Sequence, residues 1–414
     1  MLRNRSRDLV FLFLIGTGLG ESAFAQTLPL ASSGKVPQVA VSHAANVCTL
    51  DRATATTIDP KLFLTDGLST RWNFATNLIT FMRANADGYY RIFTIRPDGT
   101  DQREITENTP GLPRKHQGAP YWHPSGKYIF LIAQKEQYTS PKLFGNPDYE
   151  ALPGFGRHDD LWVITADGRQ AWQLTYEANA VDEGVLLPVV STDGRQVAWS
   201  KRLPGGKYAL MVANFVETPQ PHLENPKSFQ PGGAVYYEPG SFTSDNRSLM
   251  YSSDQDTHNF WLSQIYRLDL STGQGVRLTQ GNFYNEHPVV VATPSGDWVV
   301  YMSAYGAQRR PGRLTLGTDW YAMRPDGSGT KRLTKMNLNA KSDPENAGYP
   351  QVATTVAISP SGDFMLGDVQ TKLAKQNGMS HFVRLVCAAG AGQTANNTSR
   401  PAGRSPTRGI HPRI

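Results

Sequence analysis

"YRIFTIRPDGTDQREITEN" occupies Tyr90–Asn108, and "DWYAMRPDGSGTKRLTKM" occupies Asp319–Met336. Both run through an aromatic and apolar segment, Arg-Pro-Asp-Gly, a polar spacer and then an apolar residue followed by Thr. Asp-Gly between apolar runs is a tight hairpin signal, because Gly supplies the positive φ that such turns need. The cadence therefore reads as strand, turn, strand, and its recurrence more than 200 residues later points to an internal repeat.

Further copies lie between and beyond these two. "GKYIFLIAQ" from Gly126 leads, after an insertion, to "DLWVITADGRQAWQLT" from Asp160. "GRQVAWSKR" from Gly194 precedes "KYALMVANF", and "NRSLMYSSDQ" from Asn246 precedes "QIYRLDLSTGQGVRLT". "GDWVVYMSA" from Gly296 precedes the Asp319 copy, and "GDFMLGDVQ" from Gly362 precedes "SHFVRLVC". In four copies the turn glycine (Gly99, Gly168, Gly273, Gly327) stands 6 or 7 residues before a Thr (Thr106, Thr175, Thr279, Thr334). Each unit offers four short strands separated by Pro-Ser-Gly or Asp-Gly turns. One such sheet cannot bury both faces, whereas several packed radially can. With 38 Gly and 28 Pro, the composition also suits a turn-rich β protein.

This unit resembles the WD40-like (PD40) repeat of the TolB β-propeller over about residues 70–387. The resemblance implies an all-β, six-bladed propeller of four-stranded antiparallel sheets. Its expected sheets span 70–108, 116–175, 184–224, 235–279, 286–334 and 349–387. The third unit departs from the pattern, since "VETPQPHLENP" lacks both Asp-Gly and Leu-Thr. TolB itself carries an N-terminal α/β domain, for which the roughly 45 residues ahead of the first repeat leave no room. The sixth sheet lacks an outer strand, and "NVCTL" (Asn46–Leu50) is expected to supply it and close the ring.

The chain ends differ in character from this body. Arg3, Arg5 and Arg7, the apolar run Leu9–Gly20 and Ala23-Phe24-Ala25 read as a cleavable export signal over 1–25. Residues 26–45 read as a linker, 46–387 as the propeller and 388–414 as a disordered tail, small, polar and Pro-broken. Net charge is +6, of which +1 falls in 1–25 and +4 in 388–414, leaving +1 for the body. That near-neutral body argues against nucleic acid as a partner, and no membrane span is expected after cleavage. A periplasmic or secreted monomer is expected. In an oxidising compartment two cysteines are normally bridged, so Cys48 and Cys387 are expected to form a disulfide joining the ends of the ring.

In a propeller, the loops entering inner strands and those joining second to third strands share one face. The unusual residues gather there: His116, Gln117, Glu183, Tyr236, Tyr237, Glu286, His287 and Tyr349 before inner strands, and His158, Asp159, His258, Arg309, Arg310 and Arg313 in the other loops. Two of these loops, 135–159 and 304–318, are long enough to act as lids or binding elements. His, Glu and Asp around an axial opening are the residue types that hold a divalent metal or transfer protons. Oligogalacturonate-type lyases, which resemble this chain in their repeats, hold a metal by axial His, although no local motif here carries their ligands over. The competing reading is that these residues cap inner strands and satisfy backbone groups. Similarly, Trp122, Trp162, Trp199, Trp261, Trp298 and Trp320 could form a carbohydrate platform, but their place inside strands favours packing between sheets. His123, before Pro in "WHPSG", belongs to the opposite face and a structural role.

No G-x-S-x-G elbow, H-E-x-x-H, C-x-x-C or P-loop occurs in residues 26–414, which disfavours a serine peptidase, a zincin and a nucleotide hydrolase. The expected function is a binding or scaffolding module recognising a protein or envelope component. The alternative is a metal-assisted, lyase-like enzyme acting on an acidic saccharide or small anion at the axial opening.

Overall fold

The computed structural model describes residues 48–143, 145–178, 182–307, 316–337, 351–371 and 379–387. The expected leader, linker and tail lie outside them. The described chain forms six four-stranded antiparallel sheets arranged as the blades of a propeller. The inner strands are Leu68–Asn73, Gln117–Trp122, Gly184–Val190, Tyr237–Phe242, Asn285–Val291 and Gln351–Ile358. In blades one to five the remaining strands follow in chain order outwards. In blade six the outermost strand comes from the other end of the chain, Ala53–Leu64 pairing with Met379–Cys387.

The ring therefore closes as expected, but with a different segment. Cys48–Leu50 is not a strand; Arg52 and Ala53 both donate their N–H to Thr49 O, which makes a turn. The strand begins at Ala53, where "ATATTI" supplies the β-branched alternation that "NVCTL" is too short to sustain. The turn is tied down by blade five. Asp51 accepts from Trp298 Nε1 (2.7 Å) and Thr293 Oγ1 (2.8 Å), and Lys331 Nζ donates to Ala53 O (3.0 Å). Cys48 then reaches Cys387 in a disulfide with a Cα separation of 5.6 Å.

The apolar-Thr pair that ends four of the repeats, Ile-Thr once and Leu-Thr three times, has a local cause. Each Thr hydroxyl accepts the N–H of a residue near the start of the third strand: Ile92 to Thr106 (3.1 Å), Leu161 to Thr175 (2.9 Å), Ile265 to Thr279 (2.9 Å) and Trp320 to Thr334 (3.0 Å). In blades two and five the hydroxyl donates in turn to the preceding aspartate, Asp160 or Asp319. This latch fixes the end of a two- or three-residue outer strand that could not hold its place by ladder bonds alone. The Asp-Gly turns are equally fixed. Gly168 has φ +72°, and a Cβ there would sit 1.8 Å from Ile105 O of the neighbouring blade. Blade three, which lacks Asp-Gly and Leu-Thr, needs neither, because its outer strand His222–Phe229 is eight residues long.

Between blades the core is apolar. Trp122, Trp162, Trp199, Trp298 and Trp320 are buried in it, as packing residues, while Trp261 is half-buried on a 3-10 turn. Trp320 lies so close to blade six that a Cβ on Gly367 would come within 2.2 Å of its ring. His123 is buried on the turn face, with Nδ1 2.7 Å from Ser125 Oγ and Nε2 3.1 Å from Gly194 O.

Candidate functional site at the axial mouth

All six inner strands start on one face and carry an irregularity after their first few residues, between Leu68 and Arg71, Gly118 and Tyr121, Leu186 and Val189, Pro239 and Ser241, Glu286 and Val289, and Ala353 and Val356. Ser69, Ala119, Leu187 and His287 have positive φ at these bulges. A bulge turns extra side chains off the sheet. Here it turns them into the axis, where they wall a cavity of about 60 Å³. Leu68, Met82, Ala119, Pro153 and Leu187 make most of the wall apolar, and Ser69, Thr354, Thr355, Gln370 and His287 are polar. Further along the inner strands the axis is filled: the Arg71 guanidinium lies 5.4 Å from the centre of the Tyr121 ring.

His287 lines the cavity between two carboxylates. Its Nδ1 is 2.8 Å from Glu238 Oε1, as an ion pair rather than a well-directed hydrogen bond, and its Nε2 is 3.6 Å from Glu286 Oε2. The Tyr236 hydroxyl contacts Glu238 Oε2 and also Glu286 Oε1 (3.0 Å), and Tyr284 donates to Glu286 Oε2. A phenol has one proton, so Tyr236 can fully satisfy only one of the two carboxylates at a time. Consistently, burial and then the charge of Glu238 push Glu286 up to about 7. His287 is raised despite its burial, because Glu238 and Glu286 favour the imidazolium. Asp368, on blade six, is also buried, and four donors hold it: Thr70 N (3.0 Å) and Oγ1 (2.9 Å), Thr355 Oγ1 (2.9 Å) and Ser380 Oγ (2.7 Å).

Of the residues expected at this site, the structure brings Tyr236, Glu286 and His287 together and adds Glu238 and Tyr284. His116 belongs to a separate cluster. Its Nδ1 accepts Tyr90 N–H (3.2 Å) and its Nε2 faces Pro147 O (2.8 Å), which fits one neutral tautomer; burial lowers its pKa to about 4. Gln117 donates to Pro113 O (2.8 Å). Glu183 is half-buried, and its carbonyl accepts His158 N–H at 2.7 Å. His158 is buried and stacked on Tyr138 with ring centres 3.4 Å apart, and burial lowers it to about 4. Asp159 is buried, and Tyr237 donates to Gly233 O (2.9 Å). His258 is exposed. Tyr349, Arg309, Arg310 and Arg313 lie outside the described residues. Among the described residues no group of three or more His, Cys, Asp or Glu is arranged to hold a metal. Glu238 was missed although a signal was there: it is the second residue of its inner strand, as Glu286 is of the next.

The long loop after Gln134 is a wall rather than a lid. The Asp148 carboxylate accepts from Tyr89 (3.0 Å), Lys115 (2.8 Å), Gln134 (2.9 Å) and Ser140 N (2.8 Å). Arg202 of blade three donates to Phe155 O (3.0 Å). Pro153 is thereby pressed over the inner strand of blade two, 2.3 Å from where a Cβ on Gly118 would stand.

No family model matches the chain. It is 27% identical to an uncharacterized protein of Agrobacterium fabrum over 244 residues, 59% of this chain and 64% of that one. It is 25% identical to dipeptidyl-peptidase 5 of Porphyromonas endodontalis over 256 residues, 58% of this chain and 30% of that one. The chain thus matches less than two thirds of the length of either relative. Solved structures similar to it include TolB-like propellers: TolB from Acinetobacter baumannii is 15% identical, covers 77% of this chain and 63% of its own, and has a TM-score of 0.43. The fold rests on the six sheets described above.

Proposed function

We propose that this chain is an exported propeller that acts as a binding module, recognising a protein or cell-envelope component through the face on which its inner strands begin. One observation carries the reading: the acid and base groups that reach the axis are engaged with one another around a small, mostly apolar cavity. That arrangement suits recognition of a protruding group better than turnover of a sugar. Exposed Leu143, Tyr176, Phe283 and Tyr305 lie in loops of the same face, and aromatic residues are the usual anchors of protein contacts. The disulfide and the basic, apolar leader together support a periplasmic or secreted location.

The enzyme alternative draws on one feature, a histidine set between two glutamates, one of them poised to titrate near 7. Pull-down from envelope extract with the wild-type protein and a Leu187→Trp variant, which blocks the cavity, tests the module: the partner should be retained by the first and lost by the second. A stoichiometric metal by elemental analysis, with no partner captured, would favour the enzyme.

A further inference from the structure

Within the binding reading above, the chemistry of the axial cavity narrows what it takes. Three carboxylates surround it from behind, Glu238, Glu286 and Asp368, against two cations, Arg71 and His287. Arg71 is turned away towards Tyr121 and donates to Thr70 O (2.8 Å). Asp368 is saturated by its four donors. Glu238 is buried, and its Oε1 has no directed hydrogen bond, only the contact with the imidazole that lines the cavity. Two glutamates against one imidazole leave the set negative unless it holds a further proton. An entering anion would face two glutamates across a single imidazole in a site shielded from water, where repulsion is strong. An entering cation could instead take the place of that proton. Leu68, Met82, Ala119, Pro153 and Leu187 meanwhile offer an apolar sleeve.

We propose that the axial cavity binds a primary ammonium carried on a short aliphatic stem, the stem lying against Leu68, Met82 and Leu187 and the charge set at His287 beside Glu238 and Glu286. Binding brings in one positive charge and releases one proton to solvent, the one on His287, so that the ammonium meets a neutral imidazole rather than a second cation. The same chemistry is presented by a free small amine and by a lysine side chain of a partner protein. Tyr284, which donates to Glu286 from behind, and Arg71 stay in place.

The test is calorimetric titration of the full mature protein with n-butylammonium, n-butanol and butyrate, and with an N-acetylated heptapeptide carrying one lysine or norleucine in its place. Butylammonium binding with butyrate excluded supports the proposal with a free amine as source; binding of the lysine peptide alone supports it with a side chain as source. In either case affinity should rise at least tenfold from pH 6 to pH 8, with about one proton released, read from the dependence of heat on buffer. Leu187→Trp should abolish binding, and Glu238→Gln should weaken it at least tenfold; circular dichroism and melting confirm that each variant is folded, and Leu187→Trp serves if Glu238→Gln is not. Equal binding of butanol, tighter binding of butyrate, or no binding of any amine would overturn the proposal. Partner capture that is lost in Leu187→Trp while no amine binds would leave the module reading standing and remove only the ligand class.

Discussion

The Thr latches and the axial set teach different things about one molecule. The latch recurs, at Thr106, Thr175, Thr279 and Thr334, with the same donor position and distances of 2.9–3.1 Å. The axial set does not recur. The bulge that places Glu286 and His287 on blade five places Leu68 and Ser69, Gly118 and Ala119, Leu186 and Leu187, and Ala353 and Thr354 on other blades. The backbone device is common to the ring, while the chemistry is confined to the sector of blades four and five. What repeats holds the scaffold, and what fails to repeat marks the site.

The largest effect should come from the seam that makes the scaffold a ring. Replacing Cys48 and Cys387 by Ser opens a loop of sequence separation 339. The chain-entropy model gives a loss of roughly 5–6 kcal/mol, an upper figure because unfolded chains retain structure. Denaturant unfolding of the oxidised and reduced wild type against the double variant measures it. Equal stability of all three would show that the six blades hold the ring without the bridge.

His287→Ala attacks the part that does not repeat, and should cost about 3 kcal/mol near pH 6, because it strands buried Glu238 and Glu286. The sign with pH follows from the shift. The folded pKa of His287 lies above its unfolded value of 6.5, so the pair's contribution is complete below 6.5 and fades as pH rises through the folded value. Glu286 acts in the same sense, since a carboxyl raised from 4.5 to about 7 gives stability that falls as pH climbs between those values. Melting curves from pH 5 to pH 9 should therefore decline for the wild type; in the variant the histidine's share of that decline is lost, while the share of Glu286, no longer opposed by the imidazolium, remains and extends to higher pH. Parallel curves would break the contrast, making the axial set as inert as the latch.

Thr334→Val tests the latch. It keeps the shape but leaves Trp320 N–H without its acceptor and removes one donor from Asp319. A buried donor left unmet costs about 1–3 kcal/mol, with little effect on ligand binding at the axis. If binding fell while stability held, the latch would have to be counted with the site. The smallest effect is expected at His258, exposed on the same face as the axial mouth. His258→Ala should change stability by less than about 0.5 kcal/mol, and a larger change in melting would mean that the axial face carries a second network.

Much of this was legible in the residues. The six sheets follow from spacing, because a strand and a tight turn are local and each copy reinforces the others. The pairing of Cys48 with Cys387 follows from there being only two cysteines in a chain whose first residues read as an export leader. Glu286 and His287 were recognisable as polar residues at the start of an inner strand. His116 looked the same, and nothing in its neighbours distinguishes it.

Chain order alone determined the propeller and its closure by its own N-terminus, since periodic turns and alternating strands need only near neighbours to be read. Only the tertiary structure decided that Ala53–Leu64, not Asn46–Leu50, completes the ring, because Asp51 had to be held by Thr293 and Trp298, more than 200 residues away, before the strand could start. It alone also parted His116 from His287. One imidazole is held neutral by backbone groups of its own loops, the other charged by two carboxylates. Protonation at a buried site is set by what converges through space, and that convergence leaves no mark on the spacing of residues along the chain.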